Sequence, residues 1–453
     1  MSAVDAGALL ERALARAERR GASAADAVVI EDDALEARVR GEEIEFVKQA
    51  REHTLGLRAL VKAPEGLRSA VTSTSDLSPA AVERLADETV ALAEAVAPDA
   101  AAGLPEDGFA ADAPDLGLFE PGDRDVTVEE RIEMARRCEA AARGTDARIT
   151  NSEGSEVSSV FAHVHYASSA GFRGDYRSAR HGIFSMPLAA ENGAMQTDYW
   201  STAARRLADL EDPESVGRRA AERALRRLGS RRIPTCEVPV VFEPMTARSL
   251  LGHLAACVNG GAVYRQASFL GDRLGETVAS EKVTVVDDGR RPGGLGSRPF
   301  DGEGLATRRT VVIDGGRLAS FLLDSYAARR LGLASTGNAG RGAGSGPAAG
   351  PTNFWLEPGE SSLDEMIAGT ERGLLVTWLF GHGFNPVTGD FSRGAAGLWI
   401  EDGRLRHPVE EITIAGNLGR MLADVDAVGD ELLWLGSVAA PALRIARMTV
   451  AGE

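Results

Sequence analysis

The sequence is short of cysteine, aromatics, long apolar runs and positive charge, and each shortage removes a class of protein. Its three cysteines, Cys138, Cys236 and Cys257, form no C-x-x-C pair, and a reducing cytoplasm is the economical expectation. No uninterrupted apolar stretch nears the roughly 20 residues needed to span a bilayer, which argues against a membrane protein. Met1 to Ala25 is charged and periodic, with no basic segment followed by an apolar one, so a signal peptide is not expected. Lys and Arg number 50 against 67 Asp and Glu, a formal charge of −17, and repulsion at that balance opposes binding to a nucleic-acid backbone. The basic pairs Arg218-Arg219, Arg226-Arg227 and Arg231-Arg232 alternate with acids and read as solvated helix faces. Also missing are a G-x-S-x-G nucleophile elbow, an H-E-x-x-H zinc motif and the G-K-[ST] ending of a phosphate loop.

What is present describes a large globular chain. At 453 residues it exceeds one typical domain, and 44% hydrophobic with 26% charged residues suits a packed core. Aromatics reach only 5%, while 51 glycines imply many tight turns or close backbone approaches. Leu9, Leu10, Ala13, Leu14 and Ala17 recur at helical spacing before Gly21, which predicts a first helix over 6–20. Short β-like runs follow at 27–30, 54–61 and 67–72, joined too tightly for crossover helices, and Ser78-Pro79 opens a second helix to about Val96. After a Pro- and Gly-rich loop at 98–125 the order recurs: a helix over 126–142, strands over 147–199 and a helix over 213–228.

The expected fold is therefore α+β. Residues 1–228 form an N-terminal domain of helices packed on a mainly antiparallel sheet, with a tandem repeat of 1–97 and 126–228 as one reading of the two units. Residues 237–453 form a C-terminal β-rich domain, interrupted by a helix at 244–258 and a glycine-dense segment at 337–350.

Three groups could carry chemistry. His253 and Cys257 stand four apart and share one face of the helix after Pro244, a spacing that can offer two ligands to one metal, but two ligands are not a site and a buried His with a core Cys is the reading favoured here. The segment 381–394 sets His382, Asn385, Asp390 and Arg393 among glycines, where they could line a peptide groove or secure their own loop. His163 and His165 alternate on one strand and face one way, with nothing nearby in sequence to complete a metal set. The glycine run 337–346 lacks the context of a nucleotide cradle and reads as a mobile or substrate-edge loop.

Several longer motifs in fixed order resemble the TldD/PmbA family, also called the modulator of DNA gyrase family, in its PmbA (TldE) branch. They are Phe242-Glu243-Pro244 through Gly252-His253-Leu254, Asn259 to Leu270 with Tyr264-Arg265, Thr388 to Gly397, and Glu411 to Leu418. The resemblance extends through Thr72 to Leu77 over nearly the whole chain. It implies a bacterial cytoplasmic protein paired with a TldD-type subunit in a zinc metallopeptidase that acts on small or unfolded peptides. The TldD-type subunit carries H-E-x-x-x-H on a helix and a further cysteine ligand near its C-terminus. In this sequence the two histidine positions fall on Gly252 and Cys257, the glutamate position on His253, and the late cysteine near Leu435-Gly436-Ser437. Glycine cannot ligate, and imidazole cannot replace the carboxylate that takes a proton from metal-bound water.

The expectation is therefore a subunit with no catalytic residue and no metal of its own, with zinc in the partner. Tyr264, Arg265, His382, Asn385, Asp390 and Arg393 are its candidate cavity-lining residues. Two alternatives stay open: a self-sufficient metallopeptidase, and a self-associating peptide-binding or scaffold protein.

Overall fold

The computed structural model describes residues 5–112 and 114–452. Helix α1, Ala6–Arg20, starts where the Asp5 carboxylate accepts from the Ala8 amide and stops at Gly21, whose φ of 111° is cheap only for glycine. Strands β1, β2 and β3 follow at Ala24–Arg40, Glu43–Ala63 and Gly66–Thr74, then helix α2, Pro79–Ala95, capped by the Ser78 hydroxyl. After the long loop come α3 (Val128–Gly144), β4 (Ile149–Ser168), β5 (Arg173–Glu191), β6 (Ala194–Thr197), β7 (Trp200–Ala204) and α4 (Pro213–Leu225).

The strands run far longer than the apolar runs that announce them. β1 and β2 continue through their charged middles because antiparallel register sets acids against bases, Asp33 opposite Arg51 and Glu36 opposite Lys48. All seven strands join one sheet of order β3-β2-β1-β4-β5-β6, with β7 also on β5, and the sheet curls as a half-barrel. Both helix–strand units thus share a single sheet, joined where β1 pairs with β4.

One face of β1 serves two helix pairs. Ala27 and Val29 pack with Leu10, Ala13, Val82 and Leu85 of α1 and α2, whereas Ala37 and Val39 pack with Ile132, Ala135, Val216 and Ala220 of α3 and α4. The interval between them, Glu31 to Leu35, is only partly buried. The α3–α4 approach depends on Gly217, where an added Cβ would lie 2.1 Å from the Cys138 carbonyl oxygen. Gly217→Ala is expected to lose about 1–3 kcal/mol through overpacking, more than alanine's helix preference returns. Urea unfolding checks it, and an unchanged or higher midpoint would refute the close-approach account.

The C-terminal region is β-rich. Strand β8, Cys236–Phe242, joins Arg372–Phe380, Asp390–Glu401, Arg404–Asn417 and Leu443–Ala451 in a ring that closes where the last two pair. A second, mixed sheet centres on Val285–Asp288 and Phe354–Leu356. Helix α5, Pro244–Cys257, packs against both sheets and buries Leu250, Leu251 and Leu254 in the largest core cluster.

The glycine-dense segment is docked onto the other face of the N-terminal sheet, contrary to the expectation of a mobile loop. Ala343 clusters there with Val28, Tyr166 and Phe300, its carbonyl fills the space where a side chain on Gly56 would stand, and Arg341 reaches the buried Asp26.

Candidate functional site

Helix α5 carries the degenerate motif. Gly252 is exposed, and a Cβ there would meet nothing within 4 Å, so glycine is not a steric necessity. His253 stacks on Phe384 at 4.4 Å between ring centroids and meets Phe391 edge-on at 6.0 Å, and its Nε2 is buried without a hydrogen-bond partner. Burial, helped by the Arg393 charge, pulls its pKa down to about 4, so the ring is neutral at pH 7. Cys257 is fully buried among Leu254, Val258 and Val263, and burial pushes its thiol up to about 12. A metal ligand must be a thiolate, which this environment opposes. Among the described residues neither side chain belongs to a converging group of three His, Cys, Asp or Glu. The family's zinc therefore does not fit this turn. Gly436, near the late cysteine position, lies beside Arg248 of α5, where its missing Cβ would be 3.6 Å from that guanidinium.

The other candidates do not line one cavity. Arg393 donates to the Ser249 hydroxyl at 2.6 Å and lines a cavity of about 340 Å³ with Tyr199, Thr246 and Trp378. Asp390 accepts from the Thr388 hydroxyl at 2.7 Å and from Asn417 at 3.2 Å, contacts that hold its carboxyl below the usual range, and it lines a separate space of about 650 Å³ with Arg420 and Arg447. The Asn385 side chain accepts from the Val387 amide, and His382 is exposed in the same turn. That turn folds so closely on the next strand that a Cβ on Gly383 would sit 1.5 Å from the Ser392 oxygen. Tyr264 borders a third cavity with Arg329 and Arg330, while Arg265 beside it is exposed and donates to the Tyr264 hydroxyl.

The expectation that this chain offers no metal site is overturned on β4. His163 and His165 face one way, as alternation requires, and the β1–β4 register sets Glu31 directly opposite His163. The ligand atoms of Glu31, His163 and His165 all lie within 4.8 Å of one another. The third member was invisible in the sequence because it stands 132 residues before His163, and only strand pairing brings it near. On the same face the fully buried Ser159 and His181 hydrogen-bond at 2.8 Å, and His181 Nε2 lies 3.2 Å from the largely buried Asp123, linking strands to loop.

Comparison with known proteins follows the same outline. The descriptions "PmbA/TldA metallopeptidase domain 1", "central domain" and "C-terminal domain" match residues 25–93, 121–228 and 235–452. The chain is 37% identical over 430 residues to Metalloprotease PmbA of Escherichia coli O157:H7, covering 95% of this chain and 92% of that protein. It is 34% identical over 439 residues to a Haemophilus influenzae homologue, covering 96% and 94%. A Bacteroides thetaiotaomicron crystal structure, described as a candidate modulator of DNA gyrase, superimposes with a TM-score of 0.91 at 28% identity and covers all of both chains. Among the described residues no helix is long and apolar enough to cross a membrane.

Proposed function

The chain belongs to the PmbA/TldD metallopeptidase family, and from that premise we propose that it is the non-hydrolytic subunit of a cytoplasmic peptidase pair acting on small or unfolded peptides. The observation that carries this reading is the turn from Gly252 to Cys257. It sets an empty position, a neutral imidazole and a protonated core thiol where hydrolysis needs two metal ligands and a general base. The hydrolytic centre then belongs to a TldD-type partner. This chain closes one side of the shared cavity, and an extended peptide can be held there through its backbone. Arg393, at the cavity beside Trp378, and Asp390, in the neighbouring space, are the proposed peptide contacts.

The test mixes the purified chain with the TldD-type protein of the same genome and follows cleavage of an unfolded polypeptide. The pair should exceed either chain alone by about two orders of magnitude, and Arg393→Ala in the pair should raise KM more than it lowers kcat. Equal activity from this chain alone, abolished by Cys257→Ala, would overturn the reading. So would a stable homodimer that ignores the TldD-type protein.

A further inference from the structure

We propose that Glu31, His163 and His165 bind one divalent first-row transition ion, with Zn²⁺ the best fit, on the sheet face between the two helix pairs. Glu31 Oε1 lies 3.2 Å from His165 Nε2 and 3.9 Å from His163 Nδ1. Ligand atoms around a tetrahedral zinc with bonds of about 2.0–2.1 Å stand about 3.3 Å apart, so the Glu31–His165 edge already has that length and all three ligand atoms, within 4.8 Å of one another, need only small side-chain shifts to close on one ion. Two imidazoles and one carboxylate suit a borderline ion rather than Mg²⁺ or Ca²⁺, which require oxygen ligands.

The surroundings prepare these groups to ligate. His163 Nε2 stands 2.9 Å from Asp175 Oδ2, where only a protonated nitrogen can donate to a carboxylate. That contact holds the ring with Nδ1 turned toward Glu31, the arrangement by which a carboxylate orients a metal-binding histidine. On the other side, His53 comes from β2 directly opposite Glu31. Its Nδ1 is buried without a hydrogen-bond partner, 3.3 Å from Glu31 Oε2. The His163 and His165 ring centroids lie 3.7 Å apart with the planes tilted by 45°, so both imidazoles sit over one spot beside Glu31. The three side chains are 18–25% exposed, open enough for an ion to enter. Three protein ligands leave a coordination position for water or an incoming carboxylate.

This site is independent of the peptidase reading and of α5. The full-length chain, stripped by chelator dialysis, is titrated with Zn²⁺ by calorimetry and with Co²⁺ by visible absorption. One equivalent should bind, and His163→Ala/His165→Ala should weaken binding at least about a hundredfold, with His53→Ala weakening it about tenfold. Cys257→Ala should bind as the parent does. If circular dichroism shows that the double variant has not folded, Glu31→Gln, which keeps the side chain's shape, must show the same loss. Binding weaker than about 0.1 mM in the parent chain, binding that survives these changes, or loss on Cys257→Ala would overturn the proposal and reduce the cluster to ion pairing between strands.

Discussion

Replacing Asp26 with alanine should destabilise the protein by about 3–5 kcal/mol, because it removes the carboxylate that two buried guanidinium groups share. Asp26 is fully buried and accepts from Arg58 Nη2 at 2.5 Å, from Arg341 Nη1 at 2.6 Å and from the Tyr166 hydroxyl at 3.1 Å. Burial works to raise its pKa, but the Arg58 and Arg341 charges overcome it, and the carboxyl sits below the usual aspartate value. A depressed acid stabilises the fold above its unfolded pKa, near 3.9, and loses that contribution as the pH falls through the lower folded value. The Asp26→Ala deficit should thus be full at pH 7 and shrink in strong acid. Since Arg341 belongs to the docked glycine-dense segment, the variant should also be cut faster by protease within 337–350. Urea unfolding and limited proteolysis measure both, and a loss below about 1 kcal/mol with unchanged cleavage would mean the network adds little to docking.

Glu303 should show the opposite pH dependence. It is fully buried, and burial pushes its carboxyl up to about 7 against the pull of Arg58, with Asp301 reinforcing the rise. Between the unfolded value, near 4.3, and pH 7 the folded chain retains a proton that the unfolded chain releases. This group's contribution is therefore greatest at low pH, declines through that window and is flat above it. A shift of that size corresponds to about 4 kcal/mol. Glu303→Gln keeps an acceptor for the Ser325 amide, which donates to Glu303 at 2.8 Å. The variant should gain about 3 kcal/mol over the parent between pH 5 and pH 8. Parallel stability curves for variant and parent across that range would rule out a buried, neutral Glu303.

Local signals in the sequence were read well because the chemistry behind them is local. Gly21 ends α1, Ser78-Pro79 opens α2, and a helix starts at Pro213 as the pattern placed it, since caps and imposed φ angles act within a few residues. The division into an N-terminal helix–sheet part and a C-terminal β-rich part was legible for the same reason. Strand length was not: a short apolar run marked 27–30, whereas β1 runs to Arg40 on pairings supplied by β2 and β4. The alternation of His163 and His165 showed their common face, but Glu31 entered only through register. The docking of 337–350 was hidden in the same way, because Asp26 and Arg341 meet across 315 residues of sequence.

The central place of β1 also bears on how the chain is made. β1 can take β2 as soon as the hairpin has emerged, but its other neighbour, β4, is translated well over a hundred residues later. At about 5–20 residues per second, the edge of β1 waits on the order of ten seconds on the ribosome with its hydrogen-bonding groups unpaired. Val28, Val29 and Ile30 lie on that waiting edge, and the acids Glu31, Asp32 and Asp33 follow them directly. A charged stretch beside an exposed apolar strand discourages pairing with other nascent chains. The carboxylates at the middle of the sheet thus guard the growing chain before they serve the folded one.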